Sequence, residues 1–241
     1  MTRGQLRAIF LDAGNTLLRM NYEAIAHRLG THGVRVTPAQ VQGAEWRARV
    51  PLDADLGTTG ASTESRGAGD LYMRYILEAL GVGDEATARA MAEWTRSFNP
   101  PVGLWNLADP DAEEALGLVR GAGLAAGVIS NSNGSARSIL EALGLLPHLA
   151  FVLDSTEIGV EKPDPRVFRL ALERARIGPD QAVYIGDLYS VDVRGARAAG
   201  IEAVLLDPGG CWGARDCLRA PGVLAAVQLL LDTGRGEDRP L

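Results

Sequence analysis

Lysine is almost missing from this chain: one, Lys162, stands against 23 arginines. Arginine presents a wide planar fork, whereas lysine presents a compact point charge with three rotatable donors. The survivor sits in Gly159-Val160-Glu161-Lys162-Pro163-Asp164-Pro165, which marks it as a candidate for a tight cleft that holds carboxylates and a small anion. Chance under a biased composition is the competing account. Cysteine is nearly absent too. Cys211 and Cys217 flank Trp212-Gly213-Ala214-Arg215-Asp216 with no second metal pair, so they are expected to be free thiols of a cytoplasmic protein. His27, His32 and His148 show no zinc spacing, and the first two are expected on a helix surface. Positive charge is in deficit, with a net charge of −6, and no basic patch interleaved with aromatics occurs. That excludes nucleic-acid binding as the expected role. No run approaches the ~18 apolar residues of a membrane span. Met1-Thr2-Arg3-Gly4 leads straight into a strand-like run, so no signal peptide is expected, and a cytoplasmic location is.

What is present is a series of short apolar runs, each ending in polar residues. Arg7-Ala8-Ile9-Phe10-Leu11 delivers Asp12-Ala13-Gly14-Asn15-Thr16. This pattern predicts a buried strand with a carboxylate at its C-terminal end, where open α/β sheets bind ligands. A simple turn residue is the alternative for Asp12. Leu124-Ala125-Ala126-Gly127-Val128-Ile129 runs into Ser130-Asn131-Ser132-Asn133-Gly134. Ser132 and Asn133 also suit a helix N-cap, a reading that fits Ser130 less well. Ala182-Val183-Tyr184-Ile185 ends in Gly186-Asp187, with Asp192 five positions on. Gly186 permits close backbone approach, and Asp192 has the structural alternative of an acid in a helix's first turn. Asp164-Pro165 fits N-cap and N1 of a helix and is left out of the chemistry.

Asp12, Asp187 and Asp192 brought to one sheet edge carry three negative charges, and Lys162 returns one. At about 4 Å and an effective dielectric near 20, each like-charge pair costs roughly 4 kcal/mol. Such a cluster shifts its pKa values or binds a divalent cation. Carboxylates with backbone oxygen and water suit Mg²⁺ shared with phosphate. The expected ligand is a phosphorylated one.

Taken in order, the four segments resemble the haloacid dehalogenase-like hydrolase superfamily. The resemblance rests on Asp12-Ala13-Gly14-Asn15-Thr16, Ser130-Asn131, Lys162 in Lys-Pro-Asp-Pro, and Gly186-Asp187 with Asp192, over residues 7 to 206. It implies a Mg²⁺-dependent phosphatase working through an aspartyl-phosphate on a small phosphorylated metabolite. Asp12 would be the nucleophile. Asp12, the Gly14 carbonyl and Asp187 would hold the metal, and Asp192 would orient Asp187 or hold metal-bound water. Ser130, Asn131 and Lys162 would hold the phosphoryl group, and Thr16 would orient the loop. One departure matters. Phosphatases of the family usually carry a second aspartate two positions after the nucleophile, and here that position is Gly14. A missing acid and base removes about 10²–10⁴-fold in rate. Glycine there also suits positive φ, which would resist an aspartate. Leaving groups that need no proton are therefore expected to be handled far better than alkyl phosphates. Equal rates on both would mean that another residue, such as Asp53, Asp55 or Glu64 of the insert, supplies the proton. Two rivals stay open: a 2-haloacid dehalogenase, and a protein that binds a phospho-ligand or partner without turnover. A phosphonate-cleaving reading falls because the insert carries no lysine.

The predicted fold is α/β, a three-layer sandwich with a parallel Rossmann-like sheet. Residues 1–16 and 104–241 would form the hydrolase core, and 17–103 a helical cap without a convincing strand. In the insert, Tyr22, Ile25, Ala26 and Leu29 recur at helical spacing, as do Leu71, Tyr75, Leu77 and Leu80, and Ala86 to Phe98 can form another helix. The stretch 57–63 is expected to be a loop. Thereafter the pattern predicts helices 111–121, 134–144, 165–176, 190–199 and 217–231, alternating with strands 124–129, 150–153, 182–185 and 203–206. The polar tail from Asp232 to Leu241 is expected to fray. Substrate identity and oligomeric state are not legible.

Overall fold

The computed structural model describes residues 6–235, and side chains through residue 232. Most of the predicted polar tail lies outside the described residues. The main sheet has six parallel strands in the order β5-β4-β1-β6-β7-β8. They are β1 (Ala8–Leu11), β4 (Ala125–Ser130), β5 (Phe151–Asp154), β6 (Ala182–Gly186), β7 (Glu202–Leu206) and β8 (Leu218–Ala220).

Alternation along each strand sorts side chains to two faces. Ile9 and Leu11 join one core with helices α5 (Ala112–Gly121), α6 (Ala136–Ala142) and α10 (Val223–Arg235). Ala8 and Phe10 join the opposite core with α8 (Pro165–Ala175) and α9 (Arg194–Ala198). Central strands buried on both faces explain why the runs are continuously apolar rather than alternating. Asp164 caps α8, accepting from Arg166 N at 2.9 Å, with Pro165 at its first position. The start of α6 is organised instead by Asn133 Oδ1, which accepts from Ser135 N at 3.2 Å and from Ser135 Oγ at 2.6 Å.

A helical insert occupies the interval between β2 (Leu18–Arg19) and β3 (Leu107–Ala108), a two-stranded antiparallel pair at its root. Its helices are α1 (Tyr22–Thr31), α2 (Pro38–Thr59), α3 (Arg66–Ala79) and α4 (Glu85–Ser97). Ile25, Leu29, Val41, Leu52, Ile76 and Met91 give it an apolar core of its own, joined by Val191 from beyond β6.

Four expectations need correction. Residues 217–231 are not one helix: Leu218–Ala220 pair in parallel with Val204–Leu206, and Pro221-Gly222 separate that strand from α10. Three residues are too few for a periodic signal, and unsatisfied edge groups of β7 decide their state. The interval 17–103 does contain a strand, β2, but one of two residues. Helix α2 runs on to Thr59, through the first part of the expected loop. Its interior Pro51 and buried polar residues Glu45, Arg49 and Asp53 break the apolar stripe that would announce it. The predicted helix at 190–199 is a π-helical turn, Tyr189–Val193, running into α9.

Candidate active site

Strand β1 ends beside β6, where Asp12 N donates to Ile185 O at 2.9 Å. This register sets Asp12, after β1, next to Asp187, after β6. Asp12, Asp187 and Asp192 each place a carboxylate oxygen within 4.8 Å of the others, and all three are buried or nearly so. Gly186 makes that approach possible: a Cβ there would lie 2.4 Å from Asp192 Cγ.

Lys162 is 4% exposed, and its ammonium has three partners for three hydrogens. These are Asp12 Oδ1 at 2.7 Å, Asp192 Oδ1 at 2.8 Å and the Tyr184 hydroxyl at 2.9 Å. Burial alone would lower its pKa, but the charges of Asp12 and Asp192 hold it above the ordinary lysine value. The lysine therefore stays charged in a place where a planar fork has no second carboxylate pair to match. Asp192 is saturated. Oδ1 receives Lys162 and Tyr184 (3.1 Å), and Oδ2 receives the backbone N–H groups of Asp187 (3.0 Å) and Leu188 (2.9 Å). A carboxylate has about four lone-pair sites. Asp192 thus aims the lysine and the Asp187 loop, and Asp12 and Asp187 are the better-placed metal ligands.

Asp187 Oδ2 accepts from Asn15 Nδ2 at 3.0 Å and lies 3.6 Å from Arg49 Nε. Arg49 comes from α2 of the insert and forks onto Glu45, with contacts of 2.5 and 2.7 Å. Glu45 also accepts from the hydroxyls of Tyr22 (3.0 Å) and Tyr72. Asn15, at φ 54°, donates to the Tyr72 hydroxyl as well and accepts from Trp105 Nε1 at 2.8 Å. Burial raises the pKa of Asp12 to about 6, opposed by Lys162 and reinforced by Asp192. Burial likewise pushes Asp187 up to about 8, opposed by Arg49 and reinforced by Asp192 and Asp12. Two hard carboxylates crowded in this way are a donor set that fits Mg²⁺.

The remaining expected residues are placed as follows. Ser130 is buried at the end of β4 and lines the same cleft as Asp12 and Lys162. Asn131 also lines it, but its amide is engaged: Oδ1 accepts from Lys162 N (2.7 Å), and Nδ2 donates to Lys162 O (2.9 Å) and Thr63 Oγ1 (3.0 Å). It ties the lysine loop to the insert. Thr16 is buried, its hydroxyl without a partner among the described residues. Gly14 lacks the positive φ expected of it; Asn15 takes that conformation instead. A Cβ at Gly14 would meet the Trp105 ring at 3.5 Å, an ordinary contact.

Tyr184, Asn15, Tyr72, Trp105, Glu45 and Arg49 were not singled out from sequence. Tyr184 looks like any strand aromatic, and the Tyr and Trp residues look like packing. Glu45 and Arg49 carried one signal, an i,i+4 charge pair, but only for a reader who had recognised α2.

The cleft has a volume of about 390 Å³. It is lined by Asp12, Ser130, Lys162 and Asp187 together with the apolar and aromatic Leu52, Leu56, Tyr72, Val102 and Trp105. A strand-end carboxylate against a saturated lysine, in a six-stranded parallel α/β fold, is the arrangement of a hydrolase. The haloacid dehalogenase-like hydrolase family model matches residues 6–200, and the chain belongs to that family. It is 33% identical over 211 residues to human haloacid dehalogenase-like hydrolase domain-containing protein 3, covering 85% of this chain and 83% of that one. It is 38% identical over 159 residues to a phosphoserine phosphatase from Thermus thermophilus, covering 66% of this chain and 63% of that one. Among solved structures, the Bacillus subtilis HAD-hydrolase YfnB bound to magnesium superposes with a TM-score of 0.64 at 17% identity, over 95% of this chain and all of that one. Haloacid dehalogenases share the fold at similarly low identity, so fold alone does not choose the reaction. No helix among the described residues is long and apolar enough to cross a membrane.

Proposed function

We propose that this hydrolase is a Mg²⁺-dependent phosphatase of a small phosphorylated metabolite, with residues 17–103 acting as its cap. The observation that carries this reading is the pairing of Asp12 with Lys162 beside a second buried carboxylate, Asp187, within 4.8 Å. A dehalogenase needs the nucleophile and a lysine but has no use for a cation site. The phosphatase relatives point the same way.

In this mechanism a carboxylate oxygen of Asp12 forms a bond to phosphorus in line with the departing oxygen. Lys162 neutralises charge on both the nucleophile and the phosphoryl group, the electrostatic contribution that dominates phosphoryl transfer. Asp192 and Tyr184 hold the ammonium in place. Ser130 donates to a non-bridging oxygen, and Asn131 keeps the lysine loop and the cap loop in register with it. Asp12, Asp187 and the Gly14 carbonyl would hold Mg²⁺, which supplies further charge neutralisation at the phosphoryl oxygens. Water then cleaves the phosphoaspartate and restores Asp12. Phosphate and halide release, measured side by side with and without Mg²⁺, tests the proposal. Mg²⁺-dependent phosphate release is expected. Metal-independent halide release would replace it with the dehalogenase reading, and neither product with a binding role.

A further inference from the structure

Gly14 leaves the nucleophile loop without a proton donor, and the cleft shows where another could stand. Among the acids lining it, Asp12, Asp187 and Asp192 belong to the nucleophile and metal cluster, and Asp70 is paired with Arg96 at 2.6 Å. The Tyr72 hydroxyl is tied to Glu45, and burial lifts its pKa well above the ordinary phenol value. Glu64 remains: its carboxyl group is bonded to none of the described residues. Two other acids of the insert are excluded by position. Asp53 accepts from Ser190 N at 2.7 Å, Asp55 accepts from the Tyr75 hydroxyl, and neither lines the cleft.

The segment carrying Glu64 is clamped onto the core at two points. Ser62 Oγ donates to Glu161 Oε2 at 2.7 Å, and Thr63 Oγ1 accepts from Asn131 at 3.0 Å. Within the segment, Glu64 N donates to Ser62 Oγ (3.1 Å), and Ser65 caps α3 through Ala68 N (3.1 Å). Glu64 is thus fixed between two anchored neighbours in the cleft that Gly14 also lines, and the space beside Gly14 is taken by Trp105. The residue is exposed to solvent, so it can exchange protons between half-reactions.

Resting on the phosphatase reading, we propose that Glu64 replaces the missing aspartate as general acid and base, so that the enzyme hydrolyses alkyl phosphates despite Gly14. In the first half-reaction the Asp12–phosphorus bond forms and the phosphorus–oxygen ester bond breaks, and the Glu64 proton passes to the departing alkoxide. In the second, Glu64 takes a proton from the water that attacks the phosphoaspartate; phosphate leaves and Glu64 is protonated again.

The test is rapid-quench measurement of phosphoenzyme formation, with the covalent adduct quantified by mass spectrometry, in wild type and Glu64→Gln. Two substrates are compared: p-nitrophenyl phosphate, whose leaving group needs no proton, and propyl phosphate, whose leaving group does. In Glu64→Gln, phosphorylation by propyl phosphate is expected to fall about 10²–10⁴-fold, while phosphorylation by p-nitrophenyl phosphate stays within about threefold. The phosphoenzyme should then accumulate as a burst, because water activation is lost as well. Gly14→Asp in the Glu64→Gln background should restore propyl phosphate hydrolysis by roughly tenfold or more. Equal losses on both substrates, or no loss on either, would overturn the assignment of Glu64 and leave the phosphatase reading intact. A wild type that forms no phosphoenzyme from either substrate would overturn both.

Discussion

Asp12 and Asp187 stand side by side, yet their counter-charges come from different parts of the molecule. Asp12 faces Lys162, a lysine held by the core alone through Asp192, Tyr184 and Asn131. Asp187 faces Arg49, which is delivered by the insert and shared with Glu45. The charge partners of the Asp12 half therefore all come from the α/β layers. The Asp187 half depends on how the insert packs. This separates a part of the site that chemistry must hold rigid from a part that the insert can modulate.

The largest break in this comparison is Asp12→Asn. Turnover should fall by roughly 10³-fold or more, with the unfolding midpoint preserved, because only the nucleophile is lost. Undiminished phosphate release in a folded Asp12→Asn protein would remove the core half of the site from the chemistry. The insert half should fail differently. Arg49→Met leaves Glu45 buried and unpaired, and removing one partner of a buried pair destabilises by about 3–5 kcal/mol. Urea denaturation should show that loss, and the Glu45→Gln, Arg49→Met double variant should recover most of it. A single variant as stable as wild type would mean that the pair is not a structural tie between insert and core.

Lys162→Arg sharpens the contrast. Charge is conserved, but a guanidinium cannot place three hydrogens on Asp12, Asp192 and Tyr184 from one point, so kcat should drop on the order of 10²-fold. Wild-type rates would make the chain's one lysine an accident of composition.

The smallest expected effect is a pH dependence of metal stabilisation. Folding raises the pKa of Asp12 from 3.8 to about 6 and that of Asp187 from 3.8 to about 8. Between those limits the folded state keeps protons that the unfolded chain has released. Their stabilisation is full below about pH 4 and is lost as pH rises through 6 to 8. A divalent cation takes the place of those protons, so the Mg²⁺-induced rise in Tm should be larger at pH 8 than at pH 5, by a few degrees. Equal increments at both pH values would count against Asp12 and Asp187 as the ligands.

Much of the core half is legible in the sequence. Asp12, Ser130, Lys162 and Asp187 each follow an apolar run or adjoin a Pro-rich turn, and a parallel sheet buried on both faces makes such runs plain. The insert half is not, because a buried polar network hides helix α2. Glu45, Arg49 and Asp53 occupy positions where a periodic pattern expects apolar residues, and Pro51 looks like a break. Strand β8 was missed because its state follows from a neighbour's unpaired edge rather than from its own three residues.

By itself, the sequence determined which groups could do chemistry and in what chain order they reach the sheet edge, since strand periodicity and loop placement are local properties. It also showed that Gly14 carries no acid. Only the tertiary structure decided that Asp192 is saturated and so aims other groups, that Arg49 attends Asp187, and that Glu64 lines the cleft with its carboxyl group bonded to none of the described residues. Those outcomes depend on hydrogen-bond saturation and electrostatic partnership between residues far apart in the chain, such as Arg49 with Asp187 and Thr63 with Asn131. No local pattern encodes such pairings.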